Sequence, residues 1–167
     1  AAQKLVPLHL DVVHMLGVAH MAAHQPEFAV RLLRRAAGLR PTDAMARMNL
    51  GLALHAQGNL MEAIDNLGRA DKLQTGDLRI NYNLANALAD AGKVQDAIRR
   101  YEAALRIQPD CAEVLHALGN LLRDSGAYAE AASCCERLLQ LEPGRPRGHG
   151  RLVHLKARAC LWSTFER

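Results

Sequence analysis

Apolar residues along this chain do not alternate. They recur every three or four positions in blocks of about a dozen, the period of a helix with one buried face. The stretch LRINYNLANALADAGKVQDAIRRYEAALRIQPDC, residues 78–111, shows the pattern most completely. Its second half places Val94, Ala97, Ile98, Tyr101, Ala104, Leu105 and Ile107 on one helical stripe. Its first half ends at Gly92, a residue able to take the left-handed conformation that closes a helix. Pro109 stops the second half, because proline cannot continue a helical hydrogen-bond ladder. The unit predicts two short amphipathic helices joined by a tight turn.

Shifting the sequence by 34 residues lays this unit on its neighbours. Pro7, Pro41, Pro109 and Pro143 share one register, broken only at Thr75. Leu16, Leu50, Leu84, Leu118 and Leu152 share a second, and Gly17, Gly51 and Gly119 a third, with Ala85 standing in. Gly58, Gly92 and Gly126 mark the turns, while Ala29, Ala63, Ala97 and Ala131 recur inside the second helices. A repeat of this length is the mark of a stacked helical array, in which neither helix of a pair can bury its stripe alone. The expected division is residues 1–9 as the end of a preceding repeat and 10–145 as four repeats. Residues 146–159 follow as the first helix of a further or capping repeat, and 160–167 as the start of a linker or following domain. The first repeat departs most: His24 takes the glycine position, Pro26 opens its second helix, and His20 stands where later repeats carry leucine. An array that begins inside a repeat also leaves an apolar end, so self-association through the N-terminal end is a candidate contact.

Composition supports close helix packing. Half of the residues are hydrophobic but only 4% are aromatic, as expected where small side chains sit at helix crossings. No apolar run approaches the ~20 residues needed to span a bilayer, and no signal-peptide order is visible, so a cytoplasmic protein without membrane partners is expected. The net charge of +4 is mild. Arg145, Arg147, Arg151, Lys156 and Arg158 form a basic stretch without acids, but no stacking aromatic is interleaved with them. A solvated helix face or a neighbouring-domain contact fits that stretch better than nucleic acid. Cys111, Cys134, Cys135 and Cys160 have neither zinc-site nor disulfide-framework spacing, and Cys135 takes the slot of Tyr101 as a small core residue. The eight histidines lack an accompanying nucleophile, acid pair or phosphate loop. No catalytic residue, metal site or cofactor is expected in this chain.

The segments LGLALHAQGNLMEAI, LANALADAGKVQDAIRRYEAALRIQPD and LGNLLRDSGAYAEAA resemble tetratricopeptide repeats over residues 1 to about 158. The resemblance implies an all-α, right-handed α-solenoid of antiparallel helix pairs, with the first helices lining a concave groove that holds peptides or protein surfaces. The runs around Asn49, Asn83, Asn86 and Asn120 are further similar to the N-terminal repeats of bacterial O-linked N-acetylglucosamine transferase-like proteins. Cys160, Leu161, Trp162 and Ser163 resemble the Cys-Asp-Trp-Ser segment at the junction with the catalytic domain, although Leu161 replaces the aspartate.

With first helices lining a groove, helical spacing selects Arg79, Tyr82, Asn83, Asn86 and Asp90 in the third repeat. Met45, Met48, Asn49, Leu52 and His55 correspond in the second, and Glu113, His116, Ala117, Asn120, Arg123 and Asp124 in the fourth. Asparagine amides can pair with both C=O and N–H of an extended peptide without reading its side chains. Asn49 and Asn83 share one rung and Asn86 and Asn120 another, although amides that merely join neighbouring helices would show the same spacing. Met15, Val18, Met21, Met45, Met48 and Leu52 would form an adaptable apolar strip toward the front. The function expected is a peptide- or protein-binding module, non-catalytic itself, within a larger glycosyltransferase or, alternatively, a scaffold or assembly factor.

Overall fold

The structure is a computed structural model that describes residues 7–160. Within them the chain runs α1 (Pro7–Ala22), α2 (Pro26–Leu39), α3 (Ala44–Ala56), α4 (Leu60–Leu73), α5 (Leu78–Asp90), α6 (Val94–Ile107), α7 (Ala112–Asp124), α8 (Tyr128–Leu141) and α9 (Gly148–Arg158). Each first helix packs on its own second helix, and each second helix packs on the next first helix. Successive first helices also touch, α1 to α3, α3 to α5 and α5 to α7, with no comparable contact between successive second helices. The first helices therefore form the inner layer of an all-α solenoid.

The turns follow from their residues. Gly58, Gly92 and Gly126 hold φ of 83°, 73° and 85°. At the same position His24 and Cys160 are driven to φ of 54° and 57°, a conformation that costs a residue with a Cβ about 1–2 kcal/mol. At the other end of each pair, Asp43 and Asp77 cap α3 and α5 by accepting the Ala46 and Arg79 N–H groups at 3.0 and 2.8 Å. Cys111, at the same position before α7, makes no such bond.

Two boundaries differ from expectation. Helix α1 begins at Pro7, so residues 7–9 belong to it and not to a preceding repeat; proline is accepted in a first turn, where its missing N–H leaves no bond unmade. Helix α9 begins at Gly148, two residues later than expected, because Pro146 and a left-handed Arg147 occupy the turn.

The core is built from the repeating positions. Ala29, Ala63, Ala97 and Ala131 are wholly buried. At the crossings a Cβ on Gly17 would lie 2.7 Å from Leu33 Cγ, and one on Gly51 2.6 Å from Leu67 Cγ. Those glycines let each first helix seat on a bulky residue of its partner. Leu50, Leu84 and Leu118 are buried, whereas Leu16 is 47% exposed. The face of α1 that corresponds to the α2-covered face of α3 has no second helix against it among the described residues, so Val12, Met15, Leu16 and Val18 lie exposed. Cys111, Cys134 and Cys135 are buried free thiols, and burial pushes the last two above the usual thiol range.

Candidate functional site

The inner layer carries most of the residues selected by helical spacing. Between α5, α7 and the α8–α9 turn lies a depression of about 360 Å³ lined by Tyr82, Glu113, His116, Ala117 and Asn120, closed by Glu142 and Arg145. Tyr82 is half-buried, its ring 6.1 Å from that of Tyr101 and tilted against it. Arg79 stands exposed at the N-terminal end of the stripe, reaching Asp77 Oδ2 at 3.2 Å and Met45 Sδ at 3.5 Å.

The four asparagines differ in how far their amides are already engaged. Asn49 donates from Nδ2 to His14 Nε2 at 2.7 Å, a tie between α3 and α1. Asn86 accepts the Tyr101 hydroxyl. Burial, with Tyr82 and Asp90 nearby, holds that phenol far above its usual range, so it remains a donor. Asn120 accepts from Arg151 of α9, and its Nδ2 lies 3.4 Å from His116 Nε2. Asn83, half-buried, makes no side-chain hydrogen bond within the described residues. Of the four, Asn83 alone makes no side-chain hydrogen bond, while Asn49 uses only its Nδ2 and Asn86 only its Oδ1 among the described residues.

Asp90 is exposed and accepts from His55 Nε2 at 2.7 Å, joining α5 to α3. Arg123 bonds its neighbour Asp124 at 2.8 Å. Met45 is half-buried against the core. Met48 corrects the expectation of an apolar groove strip: it is 4% exposed and belongs to the core, its unbranched side chain filling space between helices. Met15 and Val18 are exposed, but Met21 and Leu52 pack against the core, so no continuous apolar strip forms.

Glu142 and Arg145 complete the depression although they stand outside the first helices. The sequence signal for Arg145 was its place in the basic stretch. That stretch folds back onto the fourth repeat: Lys156 meets Glu136 at 2.7 Å with only 15% of its side chain exposed, and the Arg158 guanidinium sits 4.8 Å above the Tyr128 ring. Burial, followed by the charges of Arg145, Arg151 and Arg123, pushes His116 below the usual imidazole range. No group of three or more potential metal-ligating side chains comes together among the described residues, and no helix there is long and apolar enough to cross a membrane.

Comparison with known proteins agrees with this architecture. The profile of the tetratricopeptide repeat matches residues 14–76 and 82–146. The fold aligns with a crystal structure of MamA protein at a TM-score of 0.82 and 19% identity, over 92% of this chain and 84% of that one. MamA from Desulfovibrio magneticus RS-1 aligns at 0.80 and 18% identity, over 90% and 85%. Pseudomonas aeruginosa pilF aligns at 0.77 and 20%, over 92% and 70%. At these identities the likeness is one of fold. No curated protein matches the sequence.

Proposed function

The chain belongs to the tetratricopeptide repeat family, and from that premise we propose that it is a protein-interaction module that holds an extended peptide against its inner layer of first helices. The observation that carries this reading is the depression beside Tyr82, whose walls are contributed by successive first helices. It offers an aromatic edge, the apolar Ala117 and polar side chains at once. One residue along from Tyr82, the unengaged amide of Asn83 can donate to a peptide C=O and accept from its N–H. Each such bond contributes only about 0.5–1.5 kcal/mol net, so binding relies on the apolar contact as much as on the amide.

The finer likeness to glycosyltransferase repeats rests on the asparagines, three of which already make hydrogen bonds within the chain. It rests also on residues 161–163, which lie outside the described residues.

The test is amide chemical-shift mapping of the isotopically labelled chain with a pool of extended peptides. Perturbations concentrated at Tyr82, Asn83, Ala117 and Asn120, and abolished by Tyr82→Ala with Asn83→Ala, are expected. Perturbations on the outer face, at Gln95 and Glu102 of α6, would refute the groove.

A further inference from the structure

Against α7 and α8, the last described helix α9 leaves a second and larger space of about 670 Å³. Its floor is apolar, with Leu115, Leu138, Leu139 and Leu155 all buried. Its remaining lining includes Arg123, Arg145, Arg147 and Arg151 together with His116 and His154, and no acidic residue. The carboxylates that hold two of these arginines lie outside the cavity lining: Asp124 on Arg123 and Glu142 on Arg145. Arg151 donates to the neutral amide of Asn120 and has the Asp124 carboxylate nearby, and Arg147 makes no hydrogen bond or ion pair among the described residues. Burial, then the charge of Arg123, depresses the Arg151 guanidinium below its usual range. Four guanidinium groups against two nearby carboxylates therefore leave a net positive field around a partly enclosed space. Such a field is relieved by an anion, and guanidinium forks match carboxylate and phosphate oxygens.

The cavity is continuous with the groove, because His116 and Arg145 line both it and the depression beside Tyr82. We propose that this cavity is a specificity subsite that takes an acidic group, carboxylate or phosphate, carried next to an apolar side chain of a peptide lying in the groove. The apolar side chain settles on the leucine floor and the anion meets Arg147 and Arg151. This assignment rests on the peptide-binding reading of the groove and adds the chemistry that the peptide must carry.

The experiment pans a displayed library of random dodecapeptides on the full chain, the Arg147→Gln/Arg151→Gln variant, and a control with Arg99→Gln and Arg106→Gln on the outer face of α6. Thermal melting establishes that each variant is folded, and Arg147→Gln alone, at an exposed turn, serves if the double variant is not. Wild type and control are expected to enrich peptides with Asp or Glu adjacent to an apolar residue, and the cavity variant to lose that bias. A synthetic copy of an enriched peptide should bind at least roughly tenfold more weakly when its acid becomes Gln, with the loss absent in the cavity variant. A phosphoserine copy tells whether phosphate substitutes for carboxylate. Enrichment without an acidic bias, or a bias that survives in the cavity variant, overturns the subsite and leaves the groove standing. Enrichment indifferent to Tyr82→Ala with Asn83→Ala, or no enrichment at all, overturns both. Displacement of the peptide by oligo(dT) at equal charge concentration would instead assign the arginines to nucleic acid and also overturn the proposal.

Discussion

In the second repeat Arg47 of α3 donates to Asn66 of α4 at 3.3 Å; in the third, the same two positions hold Asn81 and Arg100, and the guanidinium again donates to the amide at 3.3 Å. The remaining amide hydrogens are used alike. Asn66 Nδ2 bonds the Glu62 carbonyl at 2.9 Å, and Asn81 Nδ2 bonds the Asp77 carbonyl at 3.0 Å, each one turn back on its own helix. The first repeat has Val13 and Leu32 at these positions, and the fourth Leu115 and Cys134. The helix pair accommodates a polar contact in either orientation, or an apolar one, provided both sides change together. What separates the two polar versions is the second partner. Arg100 also reaches Asp71 at 2.7 Å, whereas the Nε of Arg47 is buried with no partner.

The largest consequence is therefore expected in the third repeat. Arg100→Leu strips Asp71 and Asn81 of their partner and should cost about 2 kcal/mol, discounted for the partial exposure of the pair. Arg47→Leu should cost about half as much, since the unsatisfied Nε disappears with the side chain. Copying the first repeat, Arg47→Val with Asn66→Leu, should be close to neutral because both polar partners leave together. Urea denaturation of the three variants reads these differences. Equal losses for Arg47→Leu and Arg100→Leu would erase the distinction between the repeats.

A second contrast concerns the crossing. Gly51 faces Leu67, while the third repeat has Ala85 and Tyr101 at those positions, with the Tyr101 hydroxyl anchored on Asn86. Gly51→Ala forces a methyl into a fully buried leucine, and the overpacking should exceed the roughly 1 kcal/mol gained in helix propensity, leaving a net loss of about 1–2 kcal/mol. Ala85→Gly loses that propensity with no clash relieved, so about 1 kcal/mol is expected. Both are measurable by thermal unfolding. A stabilised Gly51→Ala variant would show that the crossing has slack.

The fold was legible because its signals are local and repeated. The 34-residue register placed α2 to α8, and the positive φ of His24 and Cys160 falls at the position where the other repeats carry glycine. Helix ends without a glycine or an aspartate cap were less legible, and both misplaced boundaries, Pro7 and Gly148, fall there. Spacing also picked out candidates for the inner layer, yet it could not tell a core residue such as Met48 from an exposed one, nor an amide with a bond from one without. Asn49, Asn83, Asn86 and Asn120 look alike in sequence. Their difference depends on His14, Tyr101 and Arg151, fifteen to thirty-five residues away. The basic cavity was hidden for the same reason, since Arg123 joins Arg145, Arg147 and Arg151 only through the packing of α9 on α8.

The smallest effect expected separates the caps. Asp43, Asp77 and Cys111 occupy equivalent positions, and Asp77 makes the densest set of bonds, accepting the N–H groups of Arg79 and Ile80 as well as the Arg79 guanidinium. Burial raises its pKa, but those hydrogen bonds and the Arg79 charge outweigh it and hold the carboxyl below 3.8. A carboxyl depressed on folding stabilises the native state above its unfolded pKa, and that contribution fades as pH falls through the folded value. Asp77→Asn keeps a side-chain oxygen able to cap α5 but removes the titration, so wild type should exceed it by up to about 1 kcal/mol at pH 7, within the usual range for helix-terminal charge effects. The gap should close as pH falls below 4. A wild-type advantage that stays constant between pH 7 and pH 3 would mean that the amide hydrogen bonds, and not the charge, distinguish the cap of the third repeat from that of the fourth.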